Sequence, residues 1–306
     1  MANEIDYGGI GDLRLAEVLA GMYDRLIAER TRLPNHPALV YKGSISRTGS
    51  ATFKIPLIGV GGYDLPASAS EGDTINNTAL TVNDVTLTPG QYSLAREAST
   101  LAMITSSNGD ISPQTFAEDV IVGADALLVK LVAAVVATFT TVKGGGSSAD
   151  LTLIDYLESK TALRMANVQG DLLGTLSARQ WGDILADVAT VNGGALVRDP
   201  TSMQMINNEG LGYEGKYMGV DVFVTNKCPV SSGAVKGGMF GQGALYWVNA
   251  MPEVDGNDGN QILLGDILFE RSRTARTART AWVSHLWRAV SKGQDAGGVT
   301  ISSQST

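Results

Sequence analysis

The chain has 306 residues, with 23 basic and 31 acidic side chains for a formal net charge of −8, and a single cysteine. That length holds one large domain or two ordinary ones; the lone Cys228 excludes an intramolecular disulfide, and the acidic balance argues against a dedicated nucleic-acid binder, whose footprint is basic. Only 18% of residues are charged, against about 25% in an ordinary soluble domain, which points to a surface that partner subunits cover.

The N-terminus lacks the basic start and apolar run of a signal peptide. Asp12 to Arg32 has helical spacing in Leu15, Leu19, Met22, Leu26 and Ile27, and Pro34 ends it. This is either a core helix or a partner-binding arm. Ala38 to Thr100 is β-rich, in "ALVYKG", "ATFKIPLIGV" and "ALTVNDVTLTPGQYSL", around the polar "GGYDLPASASEGDTINNT". It reads as a long two-stranded excursion. A solitary ribbon is marginal in water, so it must lean on its own domain or on a neighbour. Ser112 to Thr141 carries the strongest helix signal, with Pro113 at the first helical position and Phe116, Val120, Leu127, Leu131 and Val135 at helical spacing. Asp125 and Lys130 interrupt its apolar part, which predicts a buried helix rather than a membrane span. "KGGGSSAD", Lys143 to Asp150, is the clearest boundary.

Asp150 to Val191 reads as two helices, the second capped by Ser177, and Val197 to Asn208 as a third, shorter one. From Gly219 the period becomes two, with Val220, Val222 and Val224 on one face and Asp221, Phe223 and Thr225 on the other. Gly215 and Gly219 supply a turn, and Pro229 ends the strand. "GGMFGQGALYWV" adds a turn and strand, and long β-patterned runs close the chain.

The chain offers little to catalysis. It has no phosphate loop, no dinucleotide glycine fingerprint and no G-x-S-x-G. His36 and His285 are the only imidazoles, and with one cysteine they give no zinc spacing. The acidic run Asp255 to Asp266 resembles a calcium loop but has Asn260 where glycine belongs and Asp266 where glutamate belongs. Cys228 reads as a packed strand-end residue. The expectation is no enzyme, no cofactor and no metal. Arg271, Arg273, Arg276 and Arg279 form the one basic cluster, either a solvated face with ion pairs or an inter-subunit or DNA-facing strip.

The order of these parts resembles the major capsid proteins of tailed bacteriophages of the Hong Kong 97 type, across essentially the whole chain and by layout more than by identity. The resemblance implies an α+β fold with an N-terminal arm (1–37), an extended β loop, the E-loop, with flanking strands (38–100), a peripheral domain with its spine helix (101–143), an axial domain (144–261) and strands returning to the peripheral domain with a C-terminal tail (262–306). It implies a coat protein that assembles through pentamers and hexamers into an icosahedral shell around double-stranded DNA. Implied partners are other copies of the chain, a portal, a decoration protein in some relatives, and packaged DNA in non-specific contact, with no membrane. No long charged pro-segment precedes the arm, so a separate scaffolding protein is expected. The expected location is the virion capsid, assembled in the host cytoplasm. Lys54, Asp64, Glu71 and Asp73 are the expected inter-subunit residues of the E-loop; no crosslinking motif matches, so lysine–asparagine crosslinking is not carried over. The alternatives are an encapsulin-like protein-cargo compartment of the same fold, or an enzyme with an unrecognised site.

Overall fold

A computed structural model describes residues 33–45, 51–58, 82–99, 113–191, 213–251, 261–274 and 279–305. The helices expected over Asp12–Arg32 and Val197–Asn208 lie outside the described residues. In chain order the strands and helices are β1 (Leu39–Ile45), β2 (Phe53–Ile58), β3 (Val82–Leu87), β4 (Gly90–Ser99), α1 (Pro113–Val136), β5 (Val142–Lys143), α2 (Leu153–Met165), β6 (Leu172–Leu176), α3 (Ala178–Val191), β7 (Tyr213–Tyr217), β8 (Val220–Val224), β9 (Val230–Ser231), β10 (Ala234–Gly241), β11 (Leu245–Ala250), β12 (Gln261–Leu264), β13 (Ile267–Thr274), β14 (Arg279–Lys292) and β15 (Gly298–Gln304).

Two large sheets result. The first runs β1-β11-β14-β13-β12, with β4 also on β14; the second runs β5-β15-β10-β6-β8-β7, with β9 also on β10. Both are mixed, since β1 lies parallel to β11 and β6 parallel to β8. Sequence order does not divide cleanly between them. β11, from the expected axial stretch, joins the first sheet, and β15, from the expected return strands, joins the second. Of the expected β excursion, β1 and β4 belong to the first sheet, and among the described residues the two-stranded ribbon is β2 with β3.

Helix α1 connects the sheets. Phe116, Val120 and Ala124 pack with Ile267, Phe269, Trp282 and Leu286 of the first sheet. Leu128, Val132 and Val136 pack in a central cluster with Leu173, Phe223 and Phe240 of the second sheet and Trp247 of the first. The predicted row through Leu127, Leu131 and Val135 is only half-buried; the buried row steps by four, through Ala124, Leu128, Val132 and Val136. The helix ends at Val136, five residues short of its expected limit, in a turn where the Thr138 hydroxyl donates to the Val135 carbonyl. It seats against glycines. A Cβ on Gly238 would collide with Val136 and one on Gly298 with the Phe139 ring, so part of the high glycine content serves close packing.

Helices α2 and α3 cover the other face of the second sheet through Tyr156, Leu163, Ile184 and Val188. Both begin with capping boxes. Thr152 and Asp155 exchange bonds at α2. At α3 the Gln180 N–H donates to Ser177 Oγ and the Ser177 N–H to Gln180 Oε1. The Gln180 amide continues inward, donating to the carbonyls of Val235 and Ile301. Because this sheet is covered on both faces, Asp221 and Phe223, expected on the face opposite the valines of β8, are buried as well. Strand β8 ends at Val224, before Pro229, where the Thr225 N–H turns back to the Leu176 carbonyl. The β7–β8 hairpin turns through Met218 (φ 49°) and Gly219 (φ 79°).

Beneath α1 lies a buried ion pair. Arg288 donates from Nε and Nη2 to Asp266 Oδ2 at 2.9 and 2.7 Å, and from Nη1 to the Ala124 carbonyl at 2.8 Å. Both side chains are under 10% exposed. Replacing Arg288 with Met strands a buried carboxylate, and the expected cost is about 3–5 kcal/mol. Adding Asp266→Leu recovers most of it. Urea midpoints check both, and a loss in the single variant below about 1 kcal/mol contradicts the uncompensated-charge account.

Candidate assembly surfaces

Among the described residues no group of three or more His, Cys, Asp or Glu side chains is placed to hold a metal ion. Asp266, the last position of the calcium-like run, is committed to Arg288. Residues 252–260 of that run lie outside the described residues. Cys228 is buried beside Ala133 and Val235, and burial pushes its thiol up to about 12. A thiol so raised stays protonated at neutral pH and is a poor nucleophile.

The histidines are held by carboxylates. His36 accepts the Ala38 N–H on Nδ1 and meets Asp221 Oδ2 from Nε2 at 3.1 Å, tying the strap before β1 to β8. His285 lies across the first sheet. Ser93 Oγ is 2.7 Å from its Nδ1, Glu270 is 3.5 Å from its Nε2, and Gln261 donates to Glu270 at 2.8 Å. The order hydroxyl, imidazole, carboxylate is that of a nucleophile relay. Here, however, it spans β4, β14, β13 and β12 on an open sheet face. Backbone N–H groups of paired strands lie in the sheet, so the ladder offers no oxyanion hole above Ser93. The group acts as a cross-strand polar ladder. A cavity of about 370 Å³ beside α1 is lined by Tyr41, Trp247, Asn249 and the self-neutralised Arg288–Asp266 pair, among others.

The ribbon has clearer consequences. Its antiparallel register pairs Phe53 with Leu87, Ile55 with Val85 and Lys54 with Thr86. One face is apolar, and Ile55 and Leu87 pack on Tyr246 and Val248 of β11, with Val40 and Ala289 beside them. The root of the ribbon therefore leans on its own subunit. Lys54 is exposed on the opposite face. Asp64, Glu71 and Asp73 lie outside the described residues. The seat itself, Tyr246 and Val248, was absent from the sequence expectations. Its signal is the alternation in "LYWVNA", which sends Tyr246 and Val248 one way and Trp247 and Asn249 the other.

The arginines do not share one face. Arg271 pairs in register with Trp282, which packs against α1. Arg279 points to the other side and pairs with Glu97 at 3.3 Å. Arg273 is placed by its backbone, opposite Thr280, and Arg276 lies outside the described residues. Arg96 pairs with Asp119 of α1.

No family model matches the chain, and no curated protein does. Solved structures do. The capsid of Ralstonia phage GP4 matches at 9% identity over 91% of this chain and 92% of that one, with a TM-score of 0.63. The head structure of Helicobacter pylori bacteriophage KHP40 matches at 11% identity over 88% and 87%, with a TM-score of 0.58. The capsid of cyanophage Pam1 matches at 13% identity over 92% and 93%, with a TM-score of 0.57.

One expectation follows from the thiol. Cys228 resists alkylation in the native protein at pH 8, and at pH 10 it still reacts far more slowly than the unfolded chain, because burial keeps most of the folded thiol protonated. Unfolding in urea makes it react fully. Rapid native labelling with a thiol reagent is the contrary result. At identities this low the likeness is one of fold, and the chain has the α+β fold of phage capsid subunits of the Hong Kong 97 type.

Proposed function

We propose that this chain is the major capsid protein of a tailed phage, assembling through pentamers and hexamers into an icosahedral shell around double-stranded DNA. The observation that carries this is the match to phage capsids over about nine-tenths of both chains. An appended ribbon, a low proportion of charge and no assembled reaction centre among the described residues support it. On this reading residues 1–37 are the arm, 38–100 the E-loop with its flanking strands, 101–143 the spine region, 144–261 the axial domain and 262–306 the return strands and tail. The role is structural, not enzymatic. The partners are other copies, a separate scaffolding protein, a portal, a decoration protein and the packaged DNA, and the shell forms in the host cytoplasm. Lys54, Asp64, Glu71 and Asp73 would meet neighbouring subunits. Arg271, on the opposite face of the sheet from Arg279, would serve the other side of the wall, and Arg273 and Arg276 complete the proposed inter-subunit or DNA-facing basic residues.

Electron microscopy and sedimentation of the purified protein test this. Shells or capsomers are expected, and a small monodisperse oligomer at every concentration contradicts it. Particles filled with protein cargo rather than DNA would indicate a compartment shell instead. Within this scheme, deleting residues 64–77 leaves the subunit folded by circular dichroism, because the ribbon's root is held in cis by Ile55 and Leu87, and abolishes particles. Unfolding of the deleted subunit contradicts the E-loop role.

A further inference from the structure

We propose that the outer face of α2 is a subunit contact, seated against a second copy of this chain; the proposal rests on the shell reading above. Helix α2 buries Tyr156, Ser159 and Leu163 on its sheet side. The opposite side is where a surface helix carries its polar residues. Here that side carries Ile154, Leu157, Thr161 and Met165, spaced i, i+3, i+7 and i+11, which keeps them on one line of the helix. Ile154 is 67% exposed and Met165 80%. A helix apolar on two opposite sides is built to be covered on both.

The charges around this line identify what covers it. Asp155 and Glu158 balance Lys160 and Arg164, so the helix is neutral within a chain of net charge −8. Each charged group is already held inside the subunit. Asp155 caps the helix with Thr152, and Glu158 takes the Lys143 ammonium at 3.0 Å. Lys160 donates to the Met218 carbonyl, and Arg164 to the carbonyls of Val168 and Gly170. Copies of an acidic chain repel one another at long range, and a locally neutral apolar face lets them touch without adding to that repulsion. This face offers no spare cations to nucleic acid phosphates. Closure into a ring requires a heterologous contact, so the α2 line of one subunit meets a different face of the next.

The experiment compares the full-length wild type with Ile154→Glu/Met165→Glu and with Ile154→Leu/Met165→Leu. Fold is read by circular dichroism and urea midpoint, and assembly by sedimentation and electron microscopy. The wild type and the leucine variant assemble. The glutamate variant is folded, and its particle yield falls about tenfold or more, as for loss of interface anchors. A folded glutamate variant that assembles like the wild type overturns the contact. A wild type that never assembles overturns the shell reading, and this inference with it. A photo-crosslinker at Leu157, introduced into otherwise wild-type particles, decides the matter should the glutamate variant misfold. A covalent dimer of this chain supports the assignment, whereas capture of a different protein, or no inter-chain product, overturns it.

Discussion

A row of side chains spaced by four residues cannot stay on one side of an α-helix. Each step of four turns about 400°, so the row advances about 40° around the axis. Phe116, Val120, Ala124, Leu128, Val132 and Val136 form such a row along α1, and all six are buried. Over five steps the row winds through about 200°. Its beginning faces the first sheet and its end the second. The two-sheet architecture therefore depends on one helix whose buried line changes sides. The parts that the helix joins are separate ladders among the described residues, where no strand pair links the two sheets.

That arrangement requires both ends of the helix to come close to strands. Near its middle the approach is polar. Arg288 reaches from β14 to the Ala124 carbonyl while Asp266 neutralises it, so a desolvated charge is tolerated because several of its donors are engaged. At the C-terminal end the approach is steric, and Gly238 and Gly298 leave room for Val136 and Phe139. His36 adds a third tie, from the strap before β1 to Asp221 in the second sheet. These contacts hold the two sheets in a fixed relation.

Local features were legible in the sequence, and pairings between distant segments were not. The start of α1 at Pro113, the cap at Ser177 and the period of two through β8 all depend on neighbours a few residues away. In β14 the even positions from Thr280 to Arg288 are buried and the odd ones from Ala281 to Trp287 only half-buried, but the residue order does not announce it, since Thr, Ser and Arg are among the buried residues and Val and Trp among the half-buried. The parallel pairing of β1 with β11 has no local signature, so β1 was read as part of the excursion. Nor does a lone arginine in an aromatic strand announce an aspartate 22 positions away. The arginine cluster shows the same limit. Antiparallel register joins odd positions of β13 to even positions of β14, so Arg271 and Arg279, which share parity, take opposite faces. The buried row of α1 was misassigned because a step from Val120 to Leu127 holds a fixed direction, whereas the helix crosses to a second sheet.

The ribbon resolves a tension between its size and its reach. Two strands alone bury too little apolar surface to hold a shape in water. Packing Ile55 and Leu87 on Tyr246 and Val248 orders the root within the subunit. Association is opposed by the ordering of whatever each partner must fix. The described part of the ribbon therefore departs from β11 in a set direction. On the shell reading proposed above, direction set within the subunit is what would allow identical copies to meet in the same way.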